Sequence, residues 1–167
     1  MSEVANQKRG AGVEAKTMAR LGAVQALYQM EHSGQGVDAV VREFVAFRLG
    51  GEIEGSLLRE ADTDFFADIV QGVVETQRGI DPFIQKHLSE NWTLKRLDAT
   101  ARAILRAGIF ELIRRPDVPW RVVVDEYVEI ANSFFEQGET EPRFINGVLD
   151  ASAREIRTDE LTGEFTG

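Results

Sequence analysis

Basic side chains near the start of the sequence could neutralise the phosphates of a nucleic acid. They are Lys8, Arg9, Lys16 and Arg20, and they outnumber the acids in the first thirty residues. Tyr28 follows and could offer a stacking face for an unpaired base. Alternatively, Tyr28 packs in the core and the charges are solvated, and composition alone favours this second interpretation. The residue types are therefore compatible with a nucleic-acid surface but do not establish one.

A second group of basic residues lies in the middle of the chain. Its members are Lys95, Arg96, Arg102, Arg106, Arg114 and Arg115. Arginines on helix edges often only cover apolar surface with their aliphatic stems. A binding edge and a simple solvated edge both remain open for this group.

The sequence lacks cysteine and the common catalytic and metal-binding motifs. It has no cysteine, which excludes disulfides, thiolate zinc sites and cysteine nucleophiles. Neither of its two histidines follows a glutamate by three positions, as a di-iron bundle requires, and no HExxH, GxxxxGK(S/T) or GxSxG motif occurs. The carboxylates Asp125, Glu126 and Glu129 fit a solvated or partner-facing helix edge better than an acid–base pair. We therefore expect no enzyme, no metal and no cofactor.

Composition indicates an ordinary globular protein of 167 residues, of which 43% are hydrophobic and 28% charged. The net charge of −9 argues against a broadly basic surface but not against a local one. No window approaches the roughly 18 uninterrupted apolar residues of a membrane span, and the N-terminus lacks the apolar centre of a secretory signal. Together with the absence of cysteine, this favours a cytoplasmic location and no membrane partner.

The clearest helix runs from Leu97 to Leu112, with the sequence LDATARAILRAGIFEL. Its apolar residues recur at steps of three and four, which places them on one buried face. Asp98 is positioned to cap the start, and Pro116 cannot continue the helix. We expect this helix to be a core scaffold with a basic edge.

Helical spacing recurs in six further segments, at about 14–31, 37–49, 63–78, 82–89, 122–134 and 142–156. Gly79 is expected to end one of them, and Asp81 with Pro82 to begin the next. The β-branched run Val122–Val124 could be a strand, but a lone strand would lack a partner, so a helix is preferred.

These segments predict an all-α fold of about seven helices in two small bundles. The expected organisation is a flexible N-terminal arm over residues 1–13 and one domain over 14–157, with subdomains of about 14–80 and 81–157. An acidic flexible tail over 158–167 is expected to follow, with fraying already from Arg157.

Three stretches, in matching order, resemble the transcription antitermination factor NusB family. They are Arg20–Tyr28 (RLGAVQALY), a middle run that includes Arg102–Leu112, and Phe144–Asp150 (FINGVLD). The resemblance extends over roughly residues 14–157. It implies an all-α fold of two three-helix bundles.

The resemblance also implies a non-enzymatic function. A member of this family would bind the boxA element of nascent ribosomal RNA transcripts together with NusE, a small-subunit ribosomal protein. The pair would join RNA polymerase and other Nus factors to suppress premature termination. Some relatives are dimers that hide the RNA face, so a homodimer is a further implied partner state.

The resemblance assigns site residues by position. By position, Arg20 falls in the family's N-terminal arginine-rich RNA-binding element and Tyr28 at its RNA-facing aromatic, while Phe134, Thr140 and Phe144 fall at or near positions implicated in RNA binding or complex formation. Together with the basic side chains near the start of the sequence, the predicted RNA-binding residues are Lys8, Arg9, Lys16, Arg20, Tyr28 and Phe144. The predicted partner-binding residues are Phe134 and Thr140, together with Arg102 and Arg106 as supporting or partner-facing charges on the basic edge of the central helix. Where family members often carry consecutive arginines, this chain has Lys16, Thr17 and Met18, so fewer phosphate contacts are expected.

Two other functions remain as alternatives. A NusB-like module also occurs at the N-terminus of certain ribosomal RNA cytosine methyltransferases. We expect no methyltransferase function here, because residues 1–167 leave no room for that domain and contain no cysteine to bond a cytosine. A purely protein-binding role would predict tight NusE association without any contribution from RNA.

Overall fold

The computed structural model describes residues 2–49, 61–88, 92–136 and 138–158, and only the backbone of residues 2–11. Within these ranges the chain forms six α-helices and one short 3₁₀ turn, with no strand. The helices are α1 (Ser2–Ser33), α2 (Val37–Phe47), α3 (Thr63–Lys86), α4 (Ala99–Arg114), α5 (Trp120–Phe134) and α6 (Glu141–Ile156), and the 3₁₀ turn is Leu94–Arg96. The all-α prediction is confirmed, and the helix count is close to the expected seven.

The chain divides into two compact units, Met1–Val74 and Glu75–Gly167, and the division falls inside α3. In the first unit, α1, α2 and the beginning of α3 share a core whose aromatic centre is Phe44 and Phe66, with ring centroids 5.5 Å apart. Gly22 of α1 permits this packing, because a Cβ there would lie 3.1 Å from the Leu49 side chain and 3.4 Å from the Phe66 ring. A small residue therefore sets the helix spacing in this unit.

In the second unit α4, α5 and α6 all pack against one another, and α4 is the most deeply buried. A Cβ on Gly108 would lie 2.8 Å from a methyl carbon of Leu149 and 3.4 Å from the Tyr127 ring. The Tyr127 hydroxyl donates a hydrogen bond to the buried Glu111 carboxylate, which satisfies both polar groups inside the core. Helix α4 is thus the scaffold of its unit.

Several sequence predictions for this unit are confirmed. Asp98 caps α4, since its Oδ1 accepts hydrogen bonds from the amides of Thr100 (2.8 Å) and Ala101 (3.4 Å). The β-branched run of α5 is helical, with Val123 and Val124 buried. Pro142 lies in the first turn of α6, where a missing N–H costs little.

The predicted start of the first helix near Glu14 is wrong, because α1 begins at Ser2. Residues 2–13, expected as a flexible arm, form the first turns of this helix. The sequence contains Gly10 and Gly12 here, which lower helix propensity and suggested a loop. Continuity with the packed part of α1, where Ala19 and Ala23 are fully buried, is compatible with helical backbone through both glycines.

The predicted break in the third helix is also wrong, since α3 continues through Gly79 and Pro82 to Lys86. The physical reason is burial: Ile80 and Ile84 are buried and extend the stripe begun by Ile69. A proline removes one backbone hydrogen bond, and the packing of these side chains offsets that loss.

Asp81 does not cap a new helix. Its two carboxylate oxygens accept hydrogen bonds from the Nε (2.9 Å) and Nη2 (3.0 Å) atoms of Arg106 on α4. A bidentate pair of this kind is geometrically specific, so it ties the end of α3 to α4.

The predicted fraying from Arg157 is wrong. The side chain is 8% exposed, and its guanidinium donates hydrogen bonds to four backbone carbonyl oxygens. The acceptors and distances are Leu112 (2.7 Å), Val118 (2.9 Å), Arg115 (2.9 Å) and Glu111 (3.2 Å). Arg157 therefore satisfies the carbonyls at the C-terminal end of α4 and in the following turn.

Among the described residues, no helix is both long enough and apolar enough to cross a membrane. Within the same residues, no three histidine, aspartate or glutamate side chains are grouped so that they could hold a metal ion.

Candidate nucleic-acid interface

The basic residues of α1 differ in exposure. Lys16 is half-buried, with its Nζ atom 3.5 Å from Asp62 Oδ2 and 4.8 Å from the centre of the Phe65 ring. Arg20 is only 2% exposed, and its guanidinium lies 5.0 Å from the same ring. Arg20 therefore does not project into solvent beside Lys16, because its guanidinium packs on an aromatic face inside the unit.

Replacing Arg20 by alanine should lower the free energy of unfolding by about 1 to 3 kcal/mol, through loss of the packed stem and of the cation–π contact. Lys16→Ala is the matched control on the same ring and should cost less than about 1 kcal/mol, because exposed ion pairs are weak. Urea denaturation of both variants would measure the difference. Equal losses would mean that the burial of Arg20 contributes nothing to stability.

Tyr28 lies near the C-terminal end of α1 and is 41% exposed. Its ring stacks on that of His32, with centroids 4.1 Å apart and planes 25° apart. The His32 Nδ1 atom is 3.0 Å from the Tyr28 carbonyl oxygen, and since a carbonyl only accepts, this nitrogen carries the proton. The alternative in which Tyr28 packs in the core is wrong, and His32 supports an aromatic face that is open to solvent.

The structure does not bring Lys16 and Tyr28 together. They are twelve residues apart on one helix, which corresponds to roughly 18 Å along its axis. Lys8 and Arg9 lie farther towards the N-terminus of α1, among the residues whose side chains are outside the described part of the structure. A ligand that contacts both the lysine and the aromatic face must therefore be extended along α1.

The second unit contains a cavity of about 700 Å³. Its lining includes Phe144 and Thr140, two residues singled out in the sequence, together with His87, Trp92, Arg96 and Glu141. Trp92 is 46% exposed, and the Arg96 guanidinium lies 5.9 Å from its ring. The sequence alone did not single out Trp92, although a tryptophan in a polar connector is unusual enough to have done so.

The segment that carries Trp92 is held by hydrogen bonds to its backbone. The Gln85 side chain donates to the Trp92 carbonyl oxygen (2.9 Å) and accepts from the Leu94 amide (3.1 Å). Arg102, buried at the start of α4, donates from Nη1 to the carbonyl oxygens of Leu94 (2.9 Å) and Leu97 (2.8 Å). The segment that carries Trp92 and forms one wall of the cavity is therefore held by side chains from both α3 and α4.

These bonds change how the predicted partner-binding residues are interpreted. Arg102 and Arg106 both make hydrogen bonds within their own unit, the first to the Trp92 segment and the second to Asp81. Phe134, at the last residue of α5, is 42% exposed, and Thr140 is exposed at the start of α6. Phe134 and Thr140 are therefore more accessible to a partner than the two arginines.

A small charged cluster borders the cavity. The Glu155 carboxylate accepts hydrogen bonds from Lys86 and interacts with His87, whose Nε2 atom is 3.1 Å from Glu155 Oε2. The hydrogen bond from Lys86, followed by that from His87, lowers the pKa of Glu155 below its ordinary value. The carboxylate therefore remains ionised at neutral pH and helps to place the imidazole.

The helices and the exposed aromatic side chains define a small all-α protein that presents aromatic rings to solvent. The chain belongs to the NusB family, whose family model matches residues 17–154. It is 57% identical to the transcription antitermination protein NusB of Caulobacter vibrioides over 148 residues, covering 89% of this chain and 98% of that protein. It is 53% identical to the protein of the same name from Mesorhizobium japonicum over 150 residues, covering 90% and 91%. The family resemblance inferred from the sequence is confirmed.

Solved structures show the same fold. T. maritima NusB matches with a TM-score of 0.72 and 25% identity, covering 87% of this chain and 96% of that one. A crystal structure of the antitermination factors NusB and NusE in complex with dsRNA matches with a TM-score of 0.60 and 25% identity, covering 83% and 96%.

Proposed function

We propose that this chain is a transcription antitermination factor, which binds the boxA element of nascent ribosomal RNA together with NusE and catalyses no reaction. Membership of the NusB family supports this proposal, as do the antitermination proteins to which the chain is similar. A relative of the same fold has been crystallised with NusE and RNA. The chain would act in the cytoplasm, where nascent transcripts are made.

The observation on this chain that carries the proposal is the exposed pair of Tyr28 and His32. A stacked aromatic pair with an open face suits an unpaired base, because every base has a π face that can stack on it. Lys16, Lys8 and Arg9, farther along the same helix, would contact phosphates. The buried Arg20 would hold α1 in place through Phe65, and Phe144 would contact RNA from the second unit.

Affinity would come jointly from RNA and protein contacts. The exposed Phe134 and Thr140 would face NusE, while Arg102 and Arg106 would support that surface from inside the unit. The resulting complex would join RNA polymerase with other Nus factors and suppress premature termination. A homodimer that covers the RNA face is the competing state of the free protein.

The proposal is tested by titrating a boxA-containing RNA with this protein and NusE, over a salt series. We expect preference for boxA over a scrambled RNA of equal length and composition. We also expect a shallow salt dependence, because few basic residues are available for phosphate contacts. Equal affinity for both RNAs would refute the proposal. RNA-independent association with NusE alone would favour the purely protein-binding alternative.

Tyr28→Ala should weaken binding of boxA RNA by roughly 5- to 100-fold, the range expected for loss of one stacked base, while leaving thermal stability nearly unchanged. Tyr28→Phe keeps the ring and should retain most of the affinity. Phe47→Ala removes another exposed ring of the first unit, 64% accessible, and serves as the control. If the Tyr28 and Phe47 variants bound equally well, the stacking role of Tyr28 would be wrong.

A further inference from the structure

The cavity of the second unit has the lining of a site for a flat heteroaromatic ring. Two aromatic side chains, Trp92 and Phe144, border it, and the indole of Trp92 is nearly half exposed. Its volume of about 700 Å³ lies within the range of about 300 to 1,000 Å³ that is common for small-ligand sites. Exposed aromatic faces beside such a space favour a partner that stacks.

The charges of the lining favour a base over a phosphate. Asp98 and Glu141 contribute carboxylates, and Arg96, placed over the Trp92 ring, contributes a cation. The Oδ1 atom of Asp98 already accepts hydrogen bonds from the first amides of α4, which leaves Glu141 as the stronger candidate acceptor. A carboxylate repels phosphate but accepts hydrogen bonds from the exocyclic amino group of adenine, cytosine or guanine.

The wall that carries Trp92 is organised without a ligand. The Gln85 side chain is hydrogen-bonded to the Trp92 carbonyl and the Leu94 amide, on either side of Thr93. The Arg102 guanidinium donates hydrogen bonds to the carbonyl oxygens of Leu94 and Leu97, which flank the 3₁₀ turn. A site whose backbone is already ordered loses less conformational entropy on binding. This arrangement distinguishes the cavity from an incidental surface depression.

We propose that this cavity receives one unstacked RNA base with an exocyclic amino group, adenine, cytosine or guanine, which stacks on Trp92 and donates a hydrogen bond to Glu141. The inference rests on the proposed RNA-binding function and adds a specificity residue and a base class to it. Gln85 and Arg102 act as positioning residues for the Trp92 segment.

Tryptophan fluorescence can test the stacking directly. The chain has two tryptophans, Trp92 and Trp120, so Trp120→Phe leaves Trp92 as the sole indole. The probe is a single-stranded boxA-containing RNA, added to this variant in the presence of NusE. We expect quenching of Trp92 fluorescence on addition of RNA and no quenching on addition of NusE alone.

Affinity measurements supply the second test. Trp92→Ala should weaken RNA binding by roughly 5- to 100-fold, and Trp92→Phe by much less. Replacing each cytosine by uridine, each adenine by purine riboside and each guanine by hypoxanthine (inosine), one at a time, should identify one position where loss of the amino group weakens binding. The loss of affinity caused by removing this amino group should be the same in the Trp92→Phe variant as in wild type. It should largely disappear in the Trp92→Ala and Glu141→Ala variants, which lack the stacking ring or the acceptor.

The outcomes separate this inference from the proposed function. If wild-type protein binds boxA RNA but Trp92→Ala binds equally well and Trp92 is not quenched, the cavity holds no base and the inference is overturned, while the function stands. If Trp92→Ala weakens NusE binding without RNA, the occupant is a protein side chain, which also overturns it. If the wild-type protein shows no preference for boxA RNA over a scrambled RNA, the proposed function is refuted.

Discussion

Arg157→Ala is expected to lower the free energy of unfolding of the second unit by about 3 to 5 kcal/mol. The guanidinium is buried and donates to four carbonyl oxygens at and beyond the end of α4. Each hydrogen bond to a charged group contributes about 1.5 to 3 kcal/mol, and a buried acceptor left without a donor costs about 1 to 3 kcal/mol. The expected total is smaller than the sum of four bonds, because water can enter the vacated space and because the Glu111 and Arg115 carbonyls still accept hydrogen bonds from the backbone amides of Arg115 and Val118. Urea denaturation followed by circular dichroism measures it.

Two further variants test whether the hydrogen bonds of Arg157 cause this loss of stability. Arg157→Lys keeps the charge but not the planar fork of five N–H donors, so it should recover only part of the loss. Arg154→Ala removes a neighbouring arginine that is exposed and pairs with Asp150 one turn away, and it should cost less than about 0.5 kcal/mol. If Arg154→Ala and Arg157→Ala were equally destabilising, the cap on α4 would not be the cause.

Ile104→Ala is expected to cost about 2 to 5 kcal/mol, because Ile104 is fully buried in α4 and truncation leaves a cavity in the core. Helix propensity does not explain such a loss, since alanine is the better helix former. The change should appear as a lower urea midpoint with an unchanged slope, because the surface exposed on unfolding is nearly the same.

Ile113→Ala on the same helix is the matched control. Ile113 is 39% exposed, so the same atoms are removed from a position that water already reaches. We expect a loss of less than about 1 kcal/mol. A loss comparable to that of Ile104→Ala would contradict the assignment of the buried face of α4.

The parts of the fold that could be predicted are those decided by local sequence. Asp98 and Pro116 mark the ends of α4, and the caps act within a few residues of themselves. The continuation of α3 through Gly79 and Pro82 could not be predicted in this way. It depends on the burial of Ile80 and on the bond between Asp81 and Arg106, which are tertiary interactions that override local helix breakers.

In the candidate site, too, features decided by local sequence could be predicted, and features decided by tertiary packing could not. Tyr28 could be singled out because an aromatic at the end of an amphipathic helix is visible in the sequence. The exposure of Tyr28 and the burial of Arg20 could not be predicted from the sequence, because both depend on which residues pack beside α1. Trp92 is held in the site by a hydrogen bond from Gln85 to its own carbonyl oxygen and, through the segment that follows it, by hydrogen bonds from Arg102 to the carbonyl oxygens of Leu94 and Leu97. Gln85 and Arg102 are separated from Trp92 by seven and ten positions in the sequence.

The bonds of Arg157 also bear on the order in which the chain folds as it is synthesised. The carbonyls that it satisfies lie 39 to 46 positions earlier in the sequence. While the ribosome is still translating α6, the end of α4 has not yet met this donor. The first unit, which ends at Val74, can reach its own core much earlier. A nascent chain arrested shortly before Arg157 would therefore contain a folded first unit and a second unit in which the C-terminal end of α4 lacks the hydrogen bonds from Arg157.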